Sequence, residues 1–200
     1  MPAAARSSTH SSARSSAHSS GRSDARRNRE KLLAAARESF AGAEGPVSLE
    51  AVARGAGVGI GTLYRHFPTR EALVEEVYAA ELDDLTAGAA RLLAEFPPEV
   101  ALRRWMQRYA AFVATKRGMM DTLRSSFASG RLAPHTRERV TSAFAAILGA
   151  GAAAGTLRGD VDPDDAATML HGVFLASAGD HPGRTGRLLD LLADALTVRG

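Results

Sequence analysis

The chain of 200 residues contains no cysteine, which excludes disulfide frameworks, thiolate zinc sites and cysteine nucleophiles together. Aromatic residues are scarce, at 6%, and runs of β-branched residues barely occur, so no sheet is expected. Long apolar runs are missing too. The longest small-apolar stretch, Ala143 to Gly155, falls well short of the roughly 20 residues that a membrane span needs. The N-terminus is polar and has no apolar secretory core. What is present is 45% hydrophobic residues with abundant Ala and Gly, enough to bury a core in a chain of this size. The expectation is a soluble, cytoplasmic, all-α protein built of close-packed helices.

The net charge of +3 conceals an asymmetry. Residues 1–70 hold 11 Lys and Arg against 5 Asp and Glu, a balance of +6, and the remainder hold 14 against 17, a balance of −3. A basic front on a mildly acidic body suits contact with a polyanion. Residues 1–24 carry Arg6, His10, Arg14, His18 and Arg22 at four-residue intervals between Ser pairs. Ser-rich sequence with no apolar anchor is a poor helix former, so this segment is expected to be a disordered basic arm. The arm is either a solvated tail or a strand that touches phosphates, and its acid-poor composition also fits an organelle transit peptide.

From Ala25 a period of 3.6 residues takes over and predicts nine helices and no strands. Leu32, Leu33, Ala36 and Phe40 form the first stripe, ended by Gly42 and Gly45. Ser48 reads as the N-cap of a short second helix. A third runs from Ile60 to about His66, stopped by Pro68, and Thr69 caps a long fourth at about 70–94. Further helices are expected at about 99–116, from Gly118 through Phe127, from Pro134 to about Ala153, from Asp162-Pro163 to about Ala178, and across Leu188 to Leu196. Residues 25–78 read as one domain, with the pair of short helices at about 48–67, and residues 79–200 as a second.

The informative stretch is Gly57-Val58-Gly59-Ile60-Gly61-Thr62-Leu63-Tyr64-Arg65-His66-Phe67-Pro68-Thr69-Arg70-Glu71-Ala72-Leu73. A short helix, a glycine-containing turn and another short helix make a helix-turn-helix. Hydroxyls and cations on the second helix suit phosphate gripping and major-groove entry. The stretch resembles the N-terminal domain of TetR/AcrR-family transcriptional regulators, over about Arg26 to Tyr78. The resemblance implies a two-domain, nine-helix homodimer that inserts its third helix into the major groove of an operator in double-stranded DNA. It also implies a C-terminal domain that dimerises and holds a small-molecule effector, most simply as a repressor released by that effector. On the matching positions, Tyr64, His66, Arg70 and Ser48 are expected at phosphates. Gly59, Ile60, Gly61, Thr62 and Arg65 are expected where base edges are read. The two glycines offer no side chain, so hydrogen bonding to bases falls on Arg65 and Thr62, with Ile60 against a thymine methyl. Arg65 can pair with guanine or grip phosphate.

Other constellations point nowhere. Gly55, Gly57, Gly59 and Gly61 alternate, but they follow no strand and do not make a dinucleotide or phosphate loop. Asp160, Asp162, Asp164 and Asp165 lack the glycine and closing glutamate of a calcium loop and read as a helix start. His135, His171 and His181 stand on separate elements with no paired ligand, so no metal, cofactor or catalytic residue is expected. Trp105, Met106, Tyr109, Met119, Leu123, Phe127, Phe144 and Phe174 gather on the fifth to eighth helices, where the resemblance implies an effector pocket, one suited to an apolar or amphipathic molecule. Ala166, Met169, Leu170 and Val173, with Leu188, Leu189, Leu192 and Leu196, are expected to form the dimer interface. The alternatives are an activator on the same fold, or a helical carrier or enzyme that binds no DNA.

Overall fold

In a computed structural model, residues 12–41, 47–130, 136–177 and 183–198 are described. Among them the order is α1 (Ser12–Ala41), α2 (Leu49–Gly55), α3 (Ile60–His66), α4 (Arg70–Glu95), α5 (Pro98–Gly118), α6 (Met120–Ala128), α7 (Thr136–Ala154), α8 (Pro163–Ala176) and α9 (Arg184–Leu196). No strand occurs among the described residues; a single isolated bridge joins Leu157 and Thr197. The protein is all-α, as expected, and no described helix is long and apolar enough to cross a membrane.

Local chemistry sets most of these boundaries. The Ser48 hydroxyl accepts from the Ala51 N–H and opens α2, and the Thr69 hydroxyl accepts from the Ala72 N–H and opens α4. Asp162 accepts from the N–H groups of Asp164 and Asp165 at 2.8 and 3.3 Å, with Pro163 at the first helical position. The acids around it are likewise spoken for: Asp160 pairs with Arg158 at 2.8 Å and Asp164 with Arg137 at 3.0 Å. This is a capped helix start. Gly57 ends α2 with φ of +67°, a left-handed conformation that glycine adopts without steric cost. Its neighbour's N–H, that of Val58, reaches the Ala53 carbonyl at 3.0 Å and turns the chain into α3.

One boundary departs from expectation. The segment read as a disordered arm is helical from Ser12 onward, continuous with α1. Helix propagation costs far less than nucleation, so the strong turn at Leu32–Phe40 extends backward through Ala- and Arg-bearing sequence that would not begin a helix by itself. Residues 1–11, Gly42 and Gly45, and His135 and His181 lie outside the described residues.

The helices pack as two layers that share α4. Helices α1, α2 and α3 enclose Leu32, Phe40, Val52, Leu63 and Phe67, and the start of α4 closes this unit with Leu73, Val74 and Val77. The rest of α4 lies against α5, α6 and α7, burying Leu82, Leu85, Ala89 and Leu92. Helices α8 and α9 cover α7 and α5 from the far side. Ion pairs brace α4 from both flanks: Arg29–Glu76 at 2.9 Å and Arg37–Glu81 at 2.8 Å from α1, and Arg139–Asp83 at 2.7 Å from α7. Burial pushes the Glu81 carboxyl above its ordinary range, with Arg37 pulling the other way.

A backbone contact joins the two layers at a second place. A methyl group built at Gly118, the end of α5, would lie 2.2 Å from the carbonyl oxygen of Phe40, the end of α1. Only glycine permits that approach. Gly118→Ala is therefore expected to destabilise the protein by about 1–3 kcal/mol through forced separation of α1 and α5. Gly149→Ala, where nothing lies within 4 Å of the added methyl, should be neutral or stabilising by up to about 1 kcal/mol. Urea unfolding followed by circular dichroism measures both.

Candidate nucleic-acid interface and interior cavity

Helix α3 is held by its inner face. Leu63 is fully buried, and the Phe67 N–H returns to the Leu63 carbonyl at 2.8 Å to end the helix. The outer face carries the residues singled out from sequence. Tyr64 is 46% exposed and Ile60 37% exposed, unusual for side chains of their size. Arg65 folds along the helix, donating from Nε to the Gly61 carbonyl at 3.2 Å and from a terminal nitrogen to Thr62 Oγ1 at 3.0 Å. Thr62 and Arg65 thus form one polar unit, with the threonine proton left to donate outward.

Gly59 and Gly61 have nothing within 4 Å of where a methyl would stand. A helical glycine gives up roughly 0.5–1 kcal/mol relative to alanine. Gly59 is the N-cap of α3, a position that suits glycine, whereas Gly61 lies inside the helix, where the packing supplies no steric reason for a missing side chain.

Three neighbours prove more committed to the fold than the sequence suggests. Ser48 donates to Glu50 Oε2 at 2.7 Å while accepting from Ala51, and that hydrogen bond holds the Glu50 carboxyl below its ordinary range. Arg70 donates to the Val47 carbonyl, and its guanidinium lies 5.9 Å from the centre of the Phe40 ring. His66 is half-buried beside Phe67. Sequence reading missed Arg29, whose guanidinium sits 5.0 Å over the Phe67 ring while pairing with Glu76. That link spans α1, α3 and α4, and no local pattern announces it.

A cavity of about 510 Å³ opens between α4, α5, α6, α7 and α8. Of the eight residues expected to line it, Tyr109, Phe127 and Phe174 do so. Trp105, Met106, Met119, Leu123 and Phe144 do not: each is at most 2% exposed and packed in solid core. The Trp105 ring stacks at 5.8 Å from Tyr109 and 5.3 Å from Phe144, and its Nε1–H donates to the Leu85 carbonyl at 3.0 Å. Trp105 and Phe144 fill the seam between α5 and α7, where their flat rings stack, and do not reach the cavity.

The lining that sequence reading missed is partly polar. Tyr78 of α4 forms one wall, its hydroxyl 2.5 Å from Thr136 Oγ1 of α7, and its ring edge-on to Phe127 at 5.8 Å. Burial raises the Tyr78 phenol, so it stays neutral at ordinary pH. Phe112, Val113, Met120 and Val140 add apolar surface. Lys116, Arg117, Arg137 and His171 bring positive or protonatable groups, and no Asp or Glu lines the cavity. These cations stand on three helices and converge only in the fold.

The residues expected at the pairing surface divide between the chain's own core and its open edge. Ala166, Leu170, Leu189, Leu192 and Leu196 are at most 7% exposed within the single chain, as part of its own core. The other edge of the same helices stays open. Met169 is 58% and Leu191 64% exposed, with Leu188 and Val173 half-buried and Leu175 and Val198 exposed. Along α9 a hydrophobic stripe wide enough for two faces made the inner and outer edges look alike in sequence.

Two family models match. Residues 32–77 match the bacterial regulatory proteins of the tetR family, and residues 97–198 match the C-terminal domain of SbtR-like transcriptional regulators. A TetR transcriptional regulator of Streptomyces coelicolor, SCO0520, is 44% identical, with a TM-score of 0.75 over 86% of this chain and 99% of that one. A TetR regulatory protein of Mycobacterium vanbaalenii is 32% identical, with a TM-score of 0.70 over 88% and 99%. No curated protein matches the chain.

The hydrogen bonds above carry measurable stability. Tyr78→Phe, which deletes the link to Thr136, and Ser48→Ala, which uncaps α2, should each lower unfolding free energy by about 1 kcal/mol. Chemical denaturation at neutral pH reads both, and a variant as stable as the native chain would show that its bond contributes nothing.

Proposed function

The chain belongs to the TetR family of bacterial transcriptional regulators, and from that premise we propose that it is a homodimeric repressor released from its operator by a small molecule. The observation that carries this reading is the outer face of α3, where Tyr64, Thr62 and Arg65 flank two glycines with open space before them. A DNA backbone is a partner that needs such space. Arg65 and Thr62 supply the donors for base edges, Ile60 an apolar contact, and Tyr64 with His66 reach phosphates. Ser48 gives its one hydroxyl proton to Glu50 and acts chiefly by capping α2, whereas Arg70 donates from one guanidinium nitrogen to Val47 and keeps further N–H groups for a phosphate.

Two copies are required because one recognition helix contacts too few base pairs for selectivity. A two-fold pair reaches successive major grooves about 34 Å apart. The surface suited to pairing is the open edge of α8 and α9, centred on Met169 and Leu191 with Val173 and Leu188 at its border. Release follows from α4. Tyr78 walls the cavity two turns beyond Arg70, so an occupant that displaces the Tyr78 ring or its Thr136 partner would move the helix that follows α3 in the chain and packs on α1. A coupling of about 1–3 kcal/mol between the sites gives release of tenfold or more.

The test is fluorescence polarisation on DNA flanking the chain's own gene. Arg65→Ala should weaken operator binding by about 1–3 kcal/mol while leaving nonspecific binding nearly intact. Gly61→Ala should raise stability by about 0.5–1 kcal/mol and yet lower DNA affinity, a pairing of effects that a purely structural glycine does not produce. The double substitution Met169→Glu with Leu191→Glu should give a folded monomer by sedimentation, with operator affinity lost. A dimeric double variant would place the pairing surface elsewhere.

A further inference from the structure

We propose that the cavity selects an organic anion, with an aromatic or otherwise apolar body among the rings and its acidic group at Lys116. The inference rests on the reading of this cavity as the effector site, and it adds the charge class of the occupant.

The argument begins with the lining. Tyr78, Phe112, Phe127 and Phe174 offer ring faces and edges to an apolar body. Around them the fixed charge is of one sign: Lys116, Arg117 and Arg137 contribute to the lining with His171 as a further N–H donor, and no carboxylate does. Two of these cations are already engaged. Arg117 donates to the Phe174 carbonyl at 3.0 Å, and Arg137 holds Asp164 and Thr168 at 3.0 and 2.9 Å. Lys116 is different. It is half-buried, no described carboxylate pairs with it, and its nearest recorded companion is the Tyr78 ring, with the ammonium 5.9 Å from the ring centre.

A desolvated ammonium with so weak a partner is costly to the empty protein. Burial accordingly lowers the Lys116 pKa from its ordinary value. Lys116 does lie in the last turn of α5, where a cation opposes the helix dipole. That role is met equally by a side chain turned to solvent and does not account for one set against the cavity. An incoming anion supplies the missing counter-charge, and the neighbouring cations favour its entry. A cationic molecule meets the same field with the opposite sign. Position matters as well. Lys116 lies two residues before Gly118, which touches Phe40 of the DNA-binding unit, and against Tyr78 of α4. An anion drawn to Lys116 therefore sits beside Tyr78 of α4, the helix that the two layers share.

The experiment uses the full-length chain and three molecules that share one ring system: 2-naphthylacetate, 2-naphthylacetamide and 2-(2-naphthyl)ethylammonium. Calorimetric titration of each reads charge preference at fixed shape. The acetate should bind about tenfold tighter than the amide, and the ammonium more weakly than either. Lys116→Met should abolish the preference of acetate over amide, whereas Lys116→Arg should retain most of it. Lys116→Met removes a buried charge, so its melting temperature should be no lower than the native value, which separates lost recognition from lost folding. The proposal is overturned if the amide or the ammonium matches the acetate, if Lys116→Met keeps the preference, or if none of the three binds at millimolar concentration. Operator release is read separately. Acetate that binds through Lys116 and leaves the DNA complex intact supports the anion preference and refutes the release mechanism.

Discussion

Everything in this molecule hangs on the sharing of one helix between two cores. The nine buried residues of α4 run from Leu73 to Leu92, and no break separates those that pack on α1 to α3 from those that pack on α5 to α7. Burying such a stripe removes enough apolar surface to fix α4 firmly in both environments at once. It cannot shift in one core without straining the other. The ion pairs from Arg29, Arg37 and Arg139 add direction to this constraint more than strength, since partly exposed pairs contribute little each. The close approach of Gly118 to Phe40 supplies a second tie, made of backbone and hence stiff. A protein joined at two such points transmits displacement between its halves because packed interfaces tend to switch between discrete arrangements.

Much of this was legible in the sequence wherever the determinant was local. Ser48, Thr69 and Asp162 announced helix starts because an N-cap is decided by a side chain and the backbone three residues on. Gly57 marked its turn for the same reason, and the outward face of α3 followed from its length and neighbours. The misreadings share a cause. Trp105 and Phe144 belong to stacked core and not to the cavity, because which aromatic meets a void depends on how five helices converge. Lys116, Arg117 and Arg137 lie on α5 and α7 and are unremarkable singly; their common sign matters only once they face one space. In α8 and α9 the apolar period does not separate inward from outward residues, since both Leu192 and Leu191 fit it until packing decides between them.

The two regions differ in how they treat polar groups. Around α3 the donors are arranged on the surface and braced from behind, as in Arg65 on Thr62, so that little reorganisation is needed on contact. In the cavity a charge is held half-buried, with only the end of α5 and the Tyr78 ring, among the described residues, to favour it. The first arrangement favours rate and register of association. The second ties affinity to the removal of a strain already present, so an occupant that relieves it binds more tightly than its contact area alone would indicate.

The bridge between Leu157 and Thr197 has a consequence of another kind. The Arg158 N–H bonds the Leu196 carbonyl at 2.8 Å and the Val198 N–H bonds the Thr156 carbonyl at 3.1 Å, fastening the end of α9 to the turn before α8. Arg103 of α5 holds the outer flank of α9 through Asp190 and Asp194. The helix pair is thereby finished within a single chain. The open edge that carries Met169 and Leu191 is thus borne on a platform already fixed by its own chain, so a partner settling on it would meet little further ordering of backbone.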